Sequence, residues 1–136
     1  MNDERASVLF CDLATARICR IAKPASRQEL FAQLAKGLAL PGGPASWDDL
    51  SDQLQDLAWL QGQEAVLVHE SLEGLPQADR ETYLDILASA CAWWRFQNAR
   101  QGRPEGPSPL SLVLPHADAP RFGELFRDAA KMFSQG

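Results

Sequence analysis

The chain has 136 residues, 46% of them hydrophobic and 23% charged, with a formal net charge of −5. These values are those of an ordinary globular protein that can bury a core without disulfides or metals. The first five residues are acidic and lack the apolar stretch of a signal peptide. No apolar run is long enough to cross a bilayer, so we expect a cytoplasmic protein with no membrane partner.

Cysteine and histidine usage indicates no metal site and no cofactor. Cys11, Cys19 and Cys91 are odd in number, and no pair has Cys-x-x-Cys spacing. This pattern argues against a disulfide framework and a zinc site, and it favours buried free thiols in a reducing compartment. His69 and His116 each end an apolar run, where structural histidines are more common than ligands.

Acidic residues are concentrated in the middle of the chain. No Lys or Arg lies between Lys36 and Arg80, whereas residues 37–79 carry eight acidic side chains. The other residues carry 13 basic and ten acidic side chains. A region of one sign attracts a positively charged partner and repels nucleic acid, so we expect a basic protein partner and no nucleic acid. The alternative is a solvated acidic face that only keeps the protein soluble.

The first third of the chain predicts one strand, a second extended segment and a helix. Residues 7–13 form a short apolar run typical of a strand, and residues 16–21 alternate as a second edge strand or an extended arm. Ser26, followed by Glu29 at the third helical position, predicts a helix N-terminus. We expect Gly37 and the Pro- and Gly-rich stretch at 41–44 to end this helix. Its apolar face comprises Leu30, Phe31, Leu34 and Leu38.

The second helix has the clearest start signal, because Ser46 is followed by a carboxylate at Asp49. We expect this helix to end near residues 58–62. Its two faces differ in chemistry: one is an apolar stripe and the other carries four carboxylates. The apolar stripe comprises Trp47, Leu50, Leu54 and Leu57, and the acidic side comprises Asp48, Asp49, Asp52 and Asp56.

The acidic side carries a cost in stability. Aspartate is a poor residue inside a helix, and carboxylates four positions apart repel each other. Asp48 and Asp49 complement the helix dipole near the N-terminus, whereas Asp52 and Asp56 gain little from it. A cluster that costs stability favours a role in binding.

The rest of the chain alternates strands and helices. We predict a buried strand at 64–69, a long helix at 79–99, a loop at 102–109, a strand at 110–114 and a helix at 118–133. The long helix ends with Trp93, Trp94 and Phe96, of which at least one must reach the surface or lie under the last helix. Because the three main strands lack clean alternation, we expect a parallel sheet covered on both faces.

Two stretches resemble the barstar family. Residues 28–41 resemble its first helix, including the Leu-Ala-Leu-Pro ending, and residues 46–54 resemble its Asn-Trp-Asp-Ala-Leu-x-Asp-x-Leu motif. The resemblance covers residues 6–116. It implies an α/β fold with a three-stranded parallel sheet flanked by helices, in one domain spanning residues 1–136. Residues 118–134 would be a C-terminal helical extension of that domain.

The resemblance also implies a function. Members of this family inhibit ribonucleases of the barnase type, and barnase with barstar is itself a standard example of electrostatically steered association. The family's loop and second helix fill the enzyme's active site, where carboxylates meet basic residues meant for phosphate. By resemblance, Asp52 takes the position of the dominant carboxylate and Asp48 that of a second binding aspartate. Asp49 and Asp56 would support them.

The chain departs from the family at the loop and on two helices. The loop at 42–45, which contains Gly43, is one residue shorter than the family's loop and lacks its tyrosines. Ser51 occupies a position that is often aromatic. We count Gly43 and Ser51 among the partner-binding positions. The family's acidic contact on the long helix has no match here, since small residues occupy that neighbourhood: Ala88, Ser89, Ala90 and Ala92.

We therefore predict a stoichiometric inhibitor or immunity-type binder of a basic ribonuclease, and not an enzyme. A barstar-like adaptor that binds another basic protein is the alternative. A small hydrolase using the Asp48 and Asp52 pair is a third reading, but no glycine-rich phosphate loop, HExxH or G-x-S-x-G motif supports it.

Overall fold

The structure, a computed structural model, describes residues 5–8, 17–40, 43–56, 64–102 and 109–135. Its sheet has the strand order β1-β4-β3-β2. β2, β3 and β4 are parallel to one another, and β1 pairs with β4 in the antiparallel sense. The predicted α/β fold with a three-stranded parallel sheet is thus confirmed. The strands are β1 (Arg5–Val8), β2 (Arg17–Ile21), β3 (Ala65–His69) and β4 (Leu110–Pro115).

The identity of the first parallel strand differs from the expectation. We expected residues 7–13 to be one of the three main strands, but β1 covers Arg5–Val8 and is an antiparallel addition to the sheet, and residues 9–13 lie outside the described residues. The segment at 16–21 supplies the parallel edge strand instead. Only eight residues separate β1 from β2, which is too few for a helical crossover between parallel neighbours.

The described helices lie on one face of the sheet. The parallel strands follow one another in the order β2, β3, β4, and right-handed crossovers then place every connecting helix on the same side. The strand residues of the core cluster all belong to one alternating set, which matches that geometry. They are Cys19, Ile21, Ala65, Leu67, Leu110, Leu112 and Leu114.

The other face of the sheet is only partly covered. Ile18 is 41% exposed, Arg20 is exposed, and Val68 and Val113 are half-buried. Val66 is buried on the same face. The expectation that both faces are covered therefore holds on this face only at Val66 and at Ser111, its partner on β4. The valines on the outer face hide the period-2 pattern that a one-sided sheet otherwise shows.

The first helix, α1 (Arg27–Leu38), begins where the sequence predicts. Ser26 Oγ accepts a hydrogen bond from the Glu29 N–H at 3.2 Å, and Glu29 Oε1 accepts one from the Ala25 N–H at 3.0 Å. These two bonds satisfy amide groups that a bare helix N-terminus leaves unpaired. The helix ends at Ala39, which adopts a left-handed conformation with φ of 54°.

Gly37 does not end α1, contrary to the expectation. It lies inside the helix, and a Cβ built there would come within 2.3 Å of Cys19 Sγ. Glycine at this position therefore lets α1 pack closely against β2. The predicted apolar face of α1 is confirmed as buried.

The long helix α3 (Gln77–Arg100) lies at the centre of the helical layer. It contacts β4 and has α2 (Trp47–Gln55) and α4 (Ala119–Gln135) as neighbours. Tyr83, Leu84, Leu87 and Cys91 are buried, whereas Trp94 is half-buried. The last helix α4 packs against α3, and its residues Phe122 and Leu125 join the core cluster.

A buried histidine joins the sheet to α3. His69 is fully buried, and its Nδ1 lies 3.0 Å from the carbonyl oxygen of Val113, to which it must donate. Its Nε2 therefore accepts from the Tyr83 hydroxyl at 2.6 Å. Burial lowers the pKa of His69 to about 4, so the ring is neutral. The structural role of His69 is confirmed, whereas His116 is exposed, which contradicts the same expectation for it.

Candidate functional site

The second helix, α2, carries the predicted binding aspartates and begins at the predicted residue. Ser46 Oγ accepts a hydrogen bond from the Asp49 N–H at 3.1 Å, and Asp49 Oδ2 accepts one from the Ala45 N–H at 3.0 Å. The cap fixes the direction in which the chain enters the helix. The Asp49 carboxylate thus has a structural use within the chain.

Apolar contacts set the rotation of α2 about its axis. Leu50 and Leu54 are fully buried in the core, and Trp47 is half-buried. The Trp47 ring packs edge-on against Phe31 with 5.0 Å between centroids, and it lies 6.4 Å from Tyr83. Trp47 therefore packs inward as expected. Because one side of the helix is held by these contacts, the opposite side must face solvent.

Four carboxylates occupy that solvent-facing side, and we call them the acidic face. They are Asp48, Asp49, Asp52 and Asp56, and all four are exposed. Within the described part of the chain none of them forms an ion pair. Their charge is therefore not neutralised by described basic residues, and it attracts cations over a range set by ionic strength.

The helix ends earlier than the sequence predicts. Its last residue is Gln55, and Asp56 is the C-cap, with φ of −112° and ψ of 9°. The expected end near residues 58–62 is wrong, and Leu57, the last member of the predicted stripe, lies outside the described residues. A carboxylate at this end faces the negative pole of the helix dipole, so Asp56 costs stability.

A tryptophan on α3 holds the end of α2 in place. Trp94 Nε1 donates a hydrogen bond to the carbonyl oxygen of Leu54 at 2.9 Å, satisfying one of the carbonyls that a helix C-terminus leaves unpaired. The sequence does not predict this bond. The partners are 40 residues apart, and no local pattern connects them.

Two further predicted binding positions are Gly43, in the loop before α2, and Ser51, on α2 itself. Gly43 has a positive φ of 64°, its N–H donates to the Leu40 carbonyl at 3.2 Å, and it is half-buried. A side chain there would be strained by the backbone conformation. Ser51 is half-buried between the apolar stripe and the acidic face. Ser51 therefore lies beside the acidic face, whereas Gly43 lies in the loop, three residues before the N-cap Ser46.

The described cysteines do not resemble catalytic nucleophiles. Cys19 and Cys91 are buried and free, as predicted, and Cys11 lies outside the described residues. Burial raises the pKa of Cys19 to about 11 and that of Cys91 to about 12, which disfavours the reactive thiolate. Among the described residues, no group of three His, Cys, Asp or Glu side chains is arranged to hold a metal ion. No helix of the described chain is long and apolar enough to cross a membrane.

Comparison with protein families identifies the fold. A family model described as Barstar (barnase inhibitor) matches residues 14–108, well over half of the chain. The chain belongs to the barstar family. The matched span contains β2, α1, α2, β3 and α3, and therefore the whole acidic face. The barstar match leaves out β1, β4 and α4. Searches of curated proteins and of solved structures gave no significant match.

Proposed function

We propose that this barstar-family chain is a stoichiometric inhibitor of a basic ribonuclease, and that it acts by placing the acidic face of α2 in the enzyme's phosphate-binding cleft. Asp52 is the anchor, Asp48 is the second main contact, and Asp49 and Asp56 support them. The chain performs no catalysis itself. The proposal places it in the cytoplasm, where a ribonuclease would attack the cell's own RNA.

The observation that carries the proposal is the free acidic face within the family-matched residues. Asp48 and Asp52 are exposed on a helix whose other side is fixed by Leu50 and Leu54. They lie four residues apart, so both point to the same side of α2 at a spacing of about one turn. A cleft built to bind successive phosphates presents basic groups to such carboxylates, which stand in for phosphate oxygens.

Burying these carboxylates in an interface is favourable only if a basic group of the partner pairs with each of them. Desolvating an unpaired charge costs several kcal/mol, so a neutral or acidic partner is rejected. The same charges speed encounter with a basic partner at low salt. This combination supports a basic partner over a neutral or acidic one.

The short loop favours a second candidate function. Residues 42–45 contain no aromatic side chain, and Gly43 occupies a tight, half-buried position. A partner that binds only the acidic face needs no pocket for aromatic side chains of the loop. Proteins of more varied shape can therefore bind it. The alternative is therefore a barstar-like adaptor that binds a different basic protein through the same four aspartates.

The test is titration of ribonuclease activity with the intact chain, using a secreted barnase-type enzyme. We expect activity to fall linearly to zero at one equivalent. Asp52→Ala should abolish inhibition at the same concentrations. Glu73→Ala is the matched control, because Glu73 is an exposed acid in the same segment but outside α2.

Two results would count against the inhibitor. Full enzyme activity at a large excess of the folded wild-type chain would favour the adaptor. Equal loss of inhibition in Asp52→Ala and Glu73→Ala would show that general charge, and not the acidic face, carries the effect.

We also propose that residues 1–136 form a single domain, with α4 as its C-terminal extension. The contacts of Phe122 and Leu125 with the core cluster support this, because α4 shares the core of the matched residues. The ion pair between Arg80 on α3 and Asp118 before α4 supports it as well.

A further inference from the structure

A second surface feature borders α2 and is not part of the acidic face. Trp93 on α3 is half-buried and does not belong to the core cluster. On a helix with about 100° per residue, Trp93 lies about 100° from Trp94 and about 60° from Phe96, on opposite sides. Trp94 bonds the end of α2, whereas Phe96 packs on α4. Trp93 therefore lies between α2 and α4.

Aromatic contacts hold the Trp93 ring from the α4 side. Its centroid lies 5.8 Å from that of Phe133 and 6.4 Å from that of Phe96. Phe96 and Phe133 stack on each other at 5.8 Å, and the Arg100 guanidinium lies over Phe96. A ring held in this way loses little conformational freedom when a partner covers its open side.

The polar edge of Trp93 lacks a partner among the described residues. Within the described residues its indole N–H has no acceptor, whereas the indole N–H of Trp94 donates to Leu54. Tryptophan in this setting, apolar at one end and able to donate at the other, is enriched among residues that dominate binding energies. The loop before α2 supplies no aromatic contact, so Trp93 provides an aromatic side chain next to α2.

We infer that Trp93 is an apolar anchor of the same binding surface as the acidic face, so that the partner carries an apolar patch beside its basic cleft. This inference rests on the proposed function, because it takes the partner of α2 as the occupant. Continuity supports that occupant, since Trp93 and Trp94 are adjacent and Trp94 contacts the last turn of α2. Phe133 is a positioning residue for Trp93, which gives α4 a part in binding although it lies outside the family-matched residues.

The experiment measures the affinity of the intact chain for the barnase-type ribonuclease at low and high salt. Trp93→Ala should weaken binding by about thirtyfold or more, the usual effect of a dominant interface residue. This loss should be the same at both salt concentrations, whereas the loss in Asp52→Ala should shrink at high salt. Met132→Ala is the control, because Met132 is a 74% exposed apolar residue of α4 outside the aromatic cluster, and it should bind like the wild type.

A second measurement does not depend on the stability of the alanine variant. The chain is labelled with 5-fluorotryptophan, and the resonances of Trp93 and Trp94 are assigned by Trp→Phe substitution. Saturation with unlabelled ribonuclease should shift the Trp93 resonance and leave that of Trp94 nearly unchanged. Wild-type affinity in Trp93→Ala, or an unshifted Trp93 resonance in the saturated complex, would overturn the inference while the inhibitor proposal stands. No binding by the wild-type chain would contradict both.

Discussion

At the scale of single residues, two of the four carboxylates of α2, Asp52 and Asp56, are placed where they do not help folding. Asp49 caps the helix through Ala45, but Asp52 gains no described partner and Asp56 lies at the negative end of the helix dipole. Asp52 also repels both Asp48 and Asp56, each four positions away. Asp52 and Asp56 therefore cost stability, which is consistent with the binding role proposed for them.

Replacing Asp56 with lysine should stabilise the protein. The change removes an acid from the C-terminus of α2, adds a cation there and relieves the repulsion with Asp52, for a gain of about 0.5–1 kcal/mol in the free energy of unfolding. Urea denaturation measures this gain. Glu73→Lys makes the same charge change outside a helix and should gain less. An equal gain in both variants would contradict the dipole argument.

His69 should make stability depend on pH. Its pKa is about 4 in the folded protein and about 6.5 when unfolded, so between these values the unfolded chain binds more protons. Stability from this group is full above pH 6.5 and is lost as the pH falls towards 4, by roughly 3 kcal/mol in total. NMR titration of the ring, together with denaturation at several pH values, checks this. A folded-state ring that protonates near pH 6.5 would contradict it.

The Tyr83 hydroxyl is the donor to His69 Nε2, so Tyr83→Phe should leave a buried acceptor unpaired. An unsatisfied buried polar atom costs about 1–3 kcal/mol. Thermal or urea denaturation at pH 7 should show this loss. A variant as stable as the wild type would mean that the hydrogen bond between Tyr83 and His69 contributes nothing to the free energy of unfolding.

At the scale of elements, local signals were predictable and distant contacts were not. The caps at Ser26 and Ser46 depend on residues three positions away, so the sequence states them directly. Gly37 was misread as a helix end because the reason for a glycine there is Cys19, on a strand earlier in the chain. The early end of α2 at Gln55 was missed for the same reason, since the bond from Trp94 to Leu54 comes from another helix.

Gly37→Ala should destabilise the protein although alanine is the better helix former. Helix propensity alone predicts a gain of about 1 kcal/mol, but the added Cβ meets Cys19 Sγ, and overpacking of this kind costs about 1–3 kcal/mol. Urea denaturation measures the net loss. Cys19→Ala removes the sulfur, so the double variant should be less unstable than the two single losses added together. Strict additivity would show that the two residues do not contact each other.

At the scale of the whole molecule, the sequence predicted the parallel sheet and the order of most elements. Apolar strands separated by amphipathic helices allow few other arrangements. The antiparallel β1 and the uneven cover of the two sheet faces were not predictable, because Val66, Val68 and Val113 make the outer face look buried in the sequence. The acidic face could be predicted from the local spacing of aspartates in the sequence. The position of Trp93 could not, because it depends on how three helices pack against one another.

The docking of α4 should depend on the ion pair between Arg80 and Asp118. Arg80 Nε donates to Asp118 Oδ1 at 2.6 Å, and Asp118 is only 3% exposed. Asp118→Ala leaves a partly buried guanidinium unpaired, which should cost roughly 1–3 kcal/mol. Hydrogen exchange should show faster exchange in α4 than in α1. Unchanged protection of α4 would mean that its apolar face alone holds it.

The most direct test of the account is titration calorimetry of the intact chain and of Asp52→Ala against a barnase-type ribonuclease over a range of salt concentrations. The account predicts one-to-one binding by the wild-type chain that weakens as salt increases. It also predicts a large loss of affinity in Asp52→Ala, with a thermal stability at least equal to that of the wild type. Binding that is independent of salt, or that is unaffected by Asp52→Ala, would contradict the central claim that the acidic face of α2 is the inhibitory surface.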